Sequence, residues 1–545
     1  MKGLKGAKVM RENPPLLFPP PSSSPVSEVH CRNFGREKAL VYQDSNLVSG
    51  TLEALIQHLV PTETYYPDRA FIFAFLLSSR LYIRPHELLG RVFRLAITTP
   101  THSPKYVATR VSNVPNMVKL LGEWTELFPY DFRDELMMAH VRNITQKCVT
   151  DSPPIRVEVS QLLTTLLAKL TALEKYEDFL HRINTEAALG DPHVCLPVKA
   201  ICPDPKMLAK QLTHIELERL SYIGAEEFVQ AFAKDSAQVE SSYKELKKTR
   251  NLESYVQWFN RLSYYVATEI CKGPKKKSRV RLVEYWIEVA RECFNIGNFN
   301  SLMAIIAGLN MAPVARLKKT WNKVCTAQLA ILEHQMDPSA NFSAYRSALK
   351  ETLWRSVGVV DERQKIVIPF FSLLVKDLYF LNEGCASKLP NGYINFEKIW
   401  QFAKQVTEVL ALQQIHCSYP KVQPVLNTLN ASPILSESAL CLVSYEREAA
   451  DSSQERERLK YLLREEMSSS EVSDSSPKKK HFKKTKKVMN PGSHSNPSVS
   501  ASADNKLPEV SEPTASASAQ VLYMCTCPRV KATFSWALSL QLRLT

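Results

Sequence analysis

Glycine is scarce in this chain, 15 residues of 545, and nothing in residues 203–447 alternates apolar and polar residues strictly enough to announce a sheet. What is left is long apolar spacing of three and four, which reads as an all-α protein. No window holds 18 or more uninterrupted apolar residues, which argues against a membrane-spanning helix. The opening MKGLKGAKVMRENPPLLF lacks the apolar centre of a secretory signal, so a cytoplasmic protein is expected. The 12 cysteines are scattered and form no CxxC pair. Cys525 and Cys527 make a lone CxC with no second pair or histidine nearby, whereas structural zinc needs four ligands, so no metal site is expected. The phosphate loops GxxxxGK(S/T) and GxGxxG are missing, as are the GxSxG nucleophile elbow and the HExxH zinc helix. No cofactor is expected, and a nucleotide-binding enzyme is disfavoured.

Hydrophobic content of 45% and charged content of 23% fit a globular protein, and 545 residues suffice for two or more domains. The formal charge is +14, and much of it is local. Lys478, Lys479, Lys480, Lys483, Lys484, Lys486 and Lys487 fall in one run. Such a run can attract anionic lipid or nucleic acid, act as an import signal, or be a solvated tail. No stacking-aromatic module or zinc finger accompanies it, which disfavours a nucleic-acid binder. A second basic run, PKKKSRVR (274–281), reads as a surface loop.

Composition divides the chain. Residues 1–40 contain PPLLFPPPSSSP and read as a disordered leader. Residues 46–150 read as a helical domain: SGT precedes LEALIQHL, Pro67 and Asp68 open the next helix, and Val118, Leu121, Trp124 and Phe128 share one face near 116–128. Residues 151–202 hold a linking helix over about 155–188. Residues 203–447 form a larger helical domain opened by Asp204 and Pro205. Residues 448–545 read as a Ser-rich basic tail, with one exposed helix at ERERLKYLLREEM.

The most informative segment is PFFSLLVKDLYFLNEG (369–384), an amphipathic helix ending in an acid and a glycine. It resembles the first arm of the helical hairpin of Ras-family guanine nucleotide exchange factors. LAKQLTHIELERLSYIGAEEFV (208–229), NRLSYYVATEICK (260–272), RLVEYWIEVARECFNIGNFNSLMAIIAGLNMAPVARLKKTW (281–321) and GYINFEKI (392–399) extend the likeness to the Son of sevenless type of catalytic domain. SGTLEALIQHLVP and LLGEWTELFPYDFRD resemble the N-terminal Ras exchanger motif of the same family. Within it, HIELERLSYIG, GNFNSLMAII and LPNGYINFEK are similar to the RasGEF domain-containing family member 1 proteins.

The resemblance implies a catalyst without covalent chemistry, which releases GDP from a Ras-family GTPase by inserting the hairpin into the nucleotide site. A nucleotide held at about picomolar affinity is bound by about 16 kcal/mol, so release needs such help. Rap-type GTPases are favoured as substrate, then Ras. Glu383 stands where the family places its phosphate-repelling carboxylate. Tyr379 stands at the apolar position, a departure because of its hydroxyl, and Leu378 beside it is the substitute. Met303 and Phe370 are implied to line a pocket for the second switch, with Ala315 and Arg316 at its edge. Ala315 replaces an aromatic of the best-known relatives, and Gln257 replaces an arginine that relatives can carry. Asn310 is implied to brace the catalytic surface. The N-terminal domain is implied to hold the hairpin out. Lys478–Lys487 is the candidate membrane contact, since the substrate is lipid-anchored. Taken without the family, Glu383–Gly384 is also an ordinary helix end, and Met303 and Phe370 are also plain core. The alternative function is a catalytically weak GTPase-binding scaffold.

Overall fold

A computed structural model describes residues 30–33, 39–98, 114–191, 196–232 and 249–473. The chain starts with strands: β1 (His30–Asn33), β2 (Ala39–Gln43) and β3 (Asn46–Gly50) form an antiparallel meander. The β2–β3 turn is Asp44–Ser45, both at positive φ (47° and 65°), the geometry that matches a two-residue hairpin to the twist of its strands. β1 and the start of β2 fall within the stretch read as a disordered leader. Each is too short for alternation to register in the sequence.

The N-terminal domain continues as expected. Thr51 caps α1 (Leu52–Leu59), its hydroxyl accepting the Ala54 N–H at 3.3 Å. Asp68 caps α2 (Arg69–Ser79), which is buried from Phe71 to Ser79. Next come α3 (Pro85–Thr98), α4 (Val114–Leu127) and α5 (Glu135–Asp151). The Trp…Phe-Pro…Asp-Phe signature has a physical basis. The Trp124 indole donates to Asp131 at 2.9 Å, and Arg80 pairs with the same buried carboxylate at 2.9 Å. Breaking such a pair strands a buried charge, at a cost of about 3–5 kcal/mol.

The linking helix α6 (Arg156–Leu189) buries Leu166, Leu173, Tyr176, Leu180 and Ile183 along one stripe. Its Glu177 pairs with both Arg133 and Arg250, at 2.6 and 3.2 Å, and so bridges the two domains.

The larger domain runs through α7 (Val198–Ile201), α8 (Pro205–Ser221), α9 (Ala225–Phe232), α10 (Arg250–Lys272), α11 (Lys276–Ile296) and α12 (Phe299–Leu309). It continues with α13 (Ala312–Ala315), α14 (Lys318–Trp321), α15 (Ala327–Gln335), α16 (Ser339–Ser356) and α17 (Phe371–Gly384). Then follow β4 (Ile394–Asn395), α18 (Phe396–Gln413), α19 (Gln423–Ala431), α20 (Glu437–Arg447) and α21 (Ser453–Ser473). Asp204 caps α8 with Pro205 at its first position. α10 and α12 pack closely because of Gly308, where a Cβ would lie 2.5 Å from the Ser263 carbonyl. α8 and α11 complete the centre. One apolar cluster extends from Leu40 to Val443, so the two domains share a core.

The all-α reading holds, with one addition: β4 pairs with β3 and closes a four-stranded sheet in the order β1-β2-β3-β4. The basic run at 274–281 is not a loop, since α11 begins at Lys276. α21 contains the helix expected at ERERLKYLLREEM, within the stretch read as tail. Lys478–Lys487, Cys525 and Cys527 lie outside the described residues. Among those residues, no helix is long and apolar enough to cross a membrane.

Candidate functional site

α17 is amphipathic, and its two ends differ. Phe371, Ser372, Leu373, Val375 and Leu378 are buried, while Glu383 and Gly384 at the far end are exposed and Phe380 is 41% exposed. The base is fixed by buried polar groups. The Phe370 N–H donates to the Tyr345 hydroxyl at 2.8 Å, and the Phe371 N–H to the Asn300 side-chain carbonyl at 3.2 Å. Asn300 is itself held: its amide donates to Glu216 at 3.0 Å, and Ser301 donates to the same carboxyl at 2.7 Å. Burial pushes the Glu216 carboxyl above its ordinary range. Burial likewise raises the Tyr345 phenol, which stays neutral as a hydrogen-bond partner. α16 adds a surface tie, Arg346 to Asp377 at 2.8 Å.

α18 folds back on α17. The Lys398 ammonium donates to the Asn382 carbonyl at 2.6 Å and to Ser387 Oγ at 2.9 Å, closing the C-terminal end of α17 with a cation as its dipole favours. Asn395 caps α18 through the Lys398 N–H. The N-terminal domain grips the same end. Ser49 and Gly50 pair with Asn395 and Ile394, Tyr82 donates to the Ser387 carbonyl at 3.2 Å, and the Trp400 indole donates to the Leu47 carbonyl at 3.2 Å. Phe71 stacks on Phe396 with ring centroids 5.3 Å apart.

The candidate residues fall into three groups. Glu383 is exposed at the far end of α17. Tyr379 is half-buried, with its ring edge-on to Phe232 of α9 at 5.8 Å. Leu378 is fully buried, which corrects its reading as a substitute for Tyr379: helical spacing turns it into the core. Met303 (4% exposed) and Phe370 (1%) are also core residues rather than the lining of an open pocket. Phe370 sits among Phe259, Phe342 and Tyr345. Asn310 ends α12 and donates to Glu333 of α15 at 2.8 Å. Ala315 and Gln257 are exposed. Arg316 is not an open edge contact. It pairs with Glu455 at 3.2 Å and donates to the carbonyls of Ser444, Glu448 and Ala449.

Sequence reasoning assigned no role to Glu216, Asn300, Tyr345 or Phe232. Asn300 stands in the GNFNSL block, and an invitingly placed amide in an otherwise apolar helix was the available signal. Among the described residues, no group of three or more His, Cys, Asp or Glu side chains lies where it would hold a metal. A cavity of about 400 Å³ between α6, α8 and α19, lined by Arg182, His214 and Lys421, is formed by elements other than the hairpin.

The order of the two helical domains along the chain matches that of a known family. Residues 46–146 match the RasGEF N-terminal motif and residues 207–400 the RasGEF domain. The chain belongs to the Ras guanine nucleotide exchange factor family, and its partner is a Ras-family small GTPase. It is similar to Ras-GEF domain-containing family member 1B-A of Danio rerio, 51% identical over 478 residues that cover 84% of this chain and 93% of that one. It is similar to the family member 1B of Homo sapiens, 53% identical over 439 residues (78% and 92%). It is similar also to the family member 1C of Homo sapiens, 48% identical over 459 residues (82% and 96%).

Proposed function

We propose that α17 and α18 are the exchange device, and that α17 enters the nucleotide site of a Rap-type GTPase, with Ras as the second candidate. The observation that carries this reading is the contrast within α17: a base locked by buried hydrogen bonds and a far end that presents Glu383. A carboxylate brought to the phosphate site repels the phosphates and offers an acceptor to the groups they vacate. Tyr379, one turn back, supplies apolar bulk beside it. The work is steric and electrostatic, with no bond made or broken in either protein. Such a catalyst binds the empty GTPase and so lowers the exit barrier for GDP and GTP alike; the surplus nucleotide sets the direction. Catalysis takes place where the GTPase is anchored, at a membrane surface.

The test is fluorescent-GDP release from purified Rap, Ras and Ral proteins with the full chain. Acceleration of one of them, reduced at least about tenfold by Glu383→Ala at unchanged melting temperature, is the expected result; it corresponds to about 1.4 kcal/mol of lost barrier lowering. Tight binding to the empty GTPase with no acceleration would favour the scaffold reading instead.

A further inference from the structure

α11 begins with cations. Lys275 is its N-cap, Lys276 and Lys277 stand in its first turn, and that turn holds no acid. All three side chains are exposed. The positive end of a helix dipole favours acids, so this placement works against the helix rather than for it. Arg279, two residues on, turns inward and is 3% exposed. It donates to the Gly273 carbonyl at 3.1 Å, to the Thr320 hydroxyl at 3.1 Å and to Glu448 at 3.3 Å. Glu448 also accepts the backbone N–H groups of Lys319 and Thr320, at 2.9 and 3.0 Å. Gly273 makes room for this joint, since a Cβ there would lie 2.8 Å from Arg279 Cγ. The joint fixes the start of α11 beside α14, where Lys318 and Lys319 are exposed, and exposed Lys323 follows.

The carboxylates at the joint have arginine partners, Glu448 with Arg279 and Glu455 with Arg316, and Glu455 also lies within electrostatic reach of Lys318. Among the described residues, no salt bridge includes any of these lysines. Two basic segments 41 residues apart at the Arg279–Thr320 contact therefore make one cationic face on folded elements.

We propose that this face docks the protein on bilayers containing anionic phospholipid. The outward cations in the first turns of α11 and α14 are lysines, hydrated point charges suited to a diffuse field of headgroups, joined by exposed Arg281 further along α11, while Arg279 with its phosphate-matching fork is turned inward. Nucleic acid fits less well, because the neighbouring Trp321 is half-buried against the core and pinned through its indole N–H to the Val314 carbonyl at 3.0 Å, rather than standing out as a free ring. α14 follows closely on α13, which carries exposed Ala315, so the face adjoins the edge assigned to the GTPase. That adjacency rests on the exchange reading; the docking itself does not.

The test is co-sedimentation of the full chain with phosphatidylcholine vesicles, with and without phosphatidylserine, and without any GTPase. The quadruple variant Lys276→Gln, Lys277→Gln, Lys318→Gln, Lys319→Gln is compared with its parent, both in the natural chain and in a chain whose lysines at 478–487 are neutralised. Each lysine near an anionic surface contributes about fivefold in binding, so a loss of about 100-fold or more is expected in the neutralised-tail background, with none on phosphatidylcholine alone. Melting temperature and GDP release in solution should be unchanged. Unchanged sedimentation in both backgrounds would overturn the proposal, as would complete loss of binding on neutralising the tail alone. Slower GDP release in solution with vesicle binding intact would assign the face to the GTPase and overturn it too. Lysine-dependent capture of an oligonucleotide without vesicle binding would do the same. Because no GTPase is present in the binding assay, its outcome is separate from the fate of the exchange reading.

Discussion

The two arms of the hairpin are held by different parts of the chain. α17 is held at its base by its own domain, through the series Glu216, Asn300 and the Phe371 N–H, with Tyr345 beside it. α18 is held at its start by the N-terminal domain, through the β3–β4 pairing, Tyr82, Trp400 and Phe71. The first grip is buried and polar, and sets where the helix begins. The second combines a buried strand pairing and the buried Phe71–Phe396 stack with two half-buried hydrogen bonds. The described contacts of the N-terminal domain with the hairpin fall on the connector and on the start of α18.

Breaking the inner grip should have the largest effect. Glu216→Ala strands the buried Asn300 and Ser301 donors and should cost about 3 kcal/mol in chemical denaturation. A loss under about 1 kcal/mol would mean that the series does not hold the base. The joint between the linker and the core should respond to pH. Glu269 of α10 accepts the Val198 N–H at 2.8 Å, and burial pushes its carboxyl up to about 7. The folded state therefore binds a proton that the unfolded state has released, so this contribution is complete below about pH 4.3 and is lost as pH rises towards 7. Stability should fall by up to about 1 kcal/mol per pH unit in that window, and the slope should flatten in Glu269→Gln. A natural chain and variant with identical slopes would refute the assignment. The outer grip should matter least for stability and most selectively for exchange. Tyr82→Phe with Trp400→Phe removes two hydrogen bonds, each worth about 1 kcal/mol or less at such half-exposed sites. GDP release should slow several-fold with little change in melting. Equal rates would show that the N-terminal domain does not set the pose.

Much of this was legible in the sequence. The helix read over 369–384 is observed over 371–384, and Glu383 at its end is exposed, as an ordinary helix-end acid would be. The caps Thr51, Asp68 and Asp204 were visible as residues. What the sequence could not separate is an apolar side chain covered by its own chain from one awaiting a partner. Met303, Phe370 and Leu378 look alike on that score, and all three are covered by the protein itself. Arg316 was misread for another reason: its partners lie in a segment about 130 residues away, and long-range ion pairs leave no local pattern. β4 has two residues, below the length at which a strand declares itself.

Glu448 and Arg316 also decide where this protein can be cut. Similarity to the RasGEF domain ends at residue 400, and the last helix of the apolar core ends at Arg447. A fragment ending there would remove the carboxylate that joins Arg279, Lys319 and Thr320, together with four of the groups that receive the Arg316 guanidinium: the carbonyls of Glu448 and Ala449 and both oxygens of Glu455. Two largely buried guanidinium groups would lose acceptors at once. The autonomously folding unit therefore extends through the first turn of α21, and the polar seam at its C-terminal edge, rather than its hydrophobic contents, marks its border.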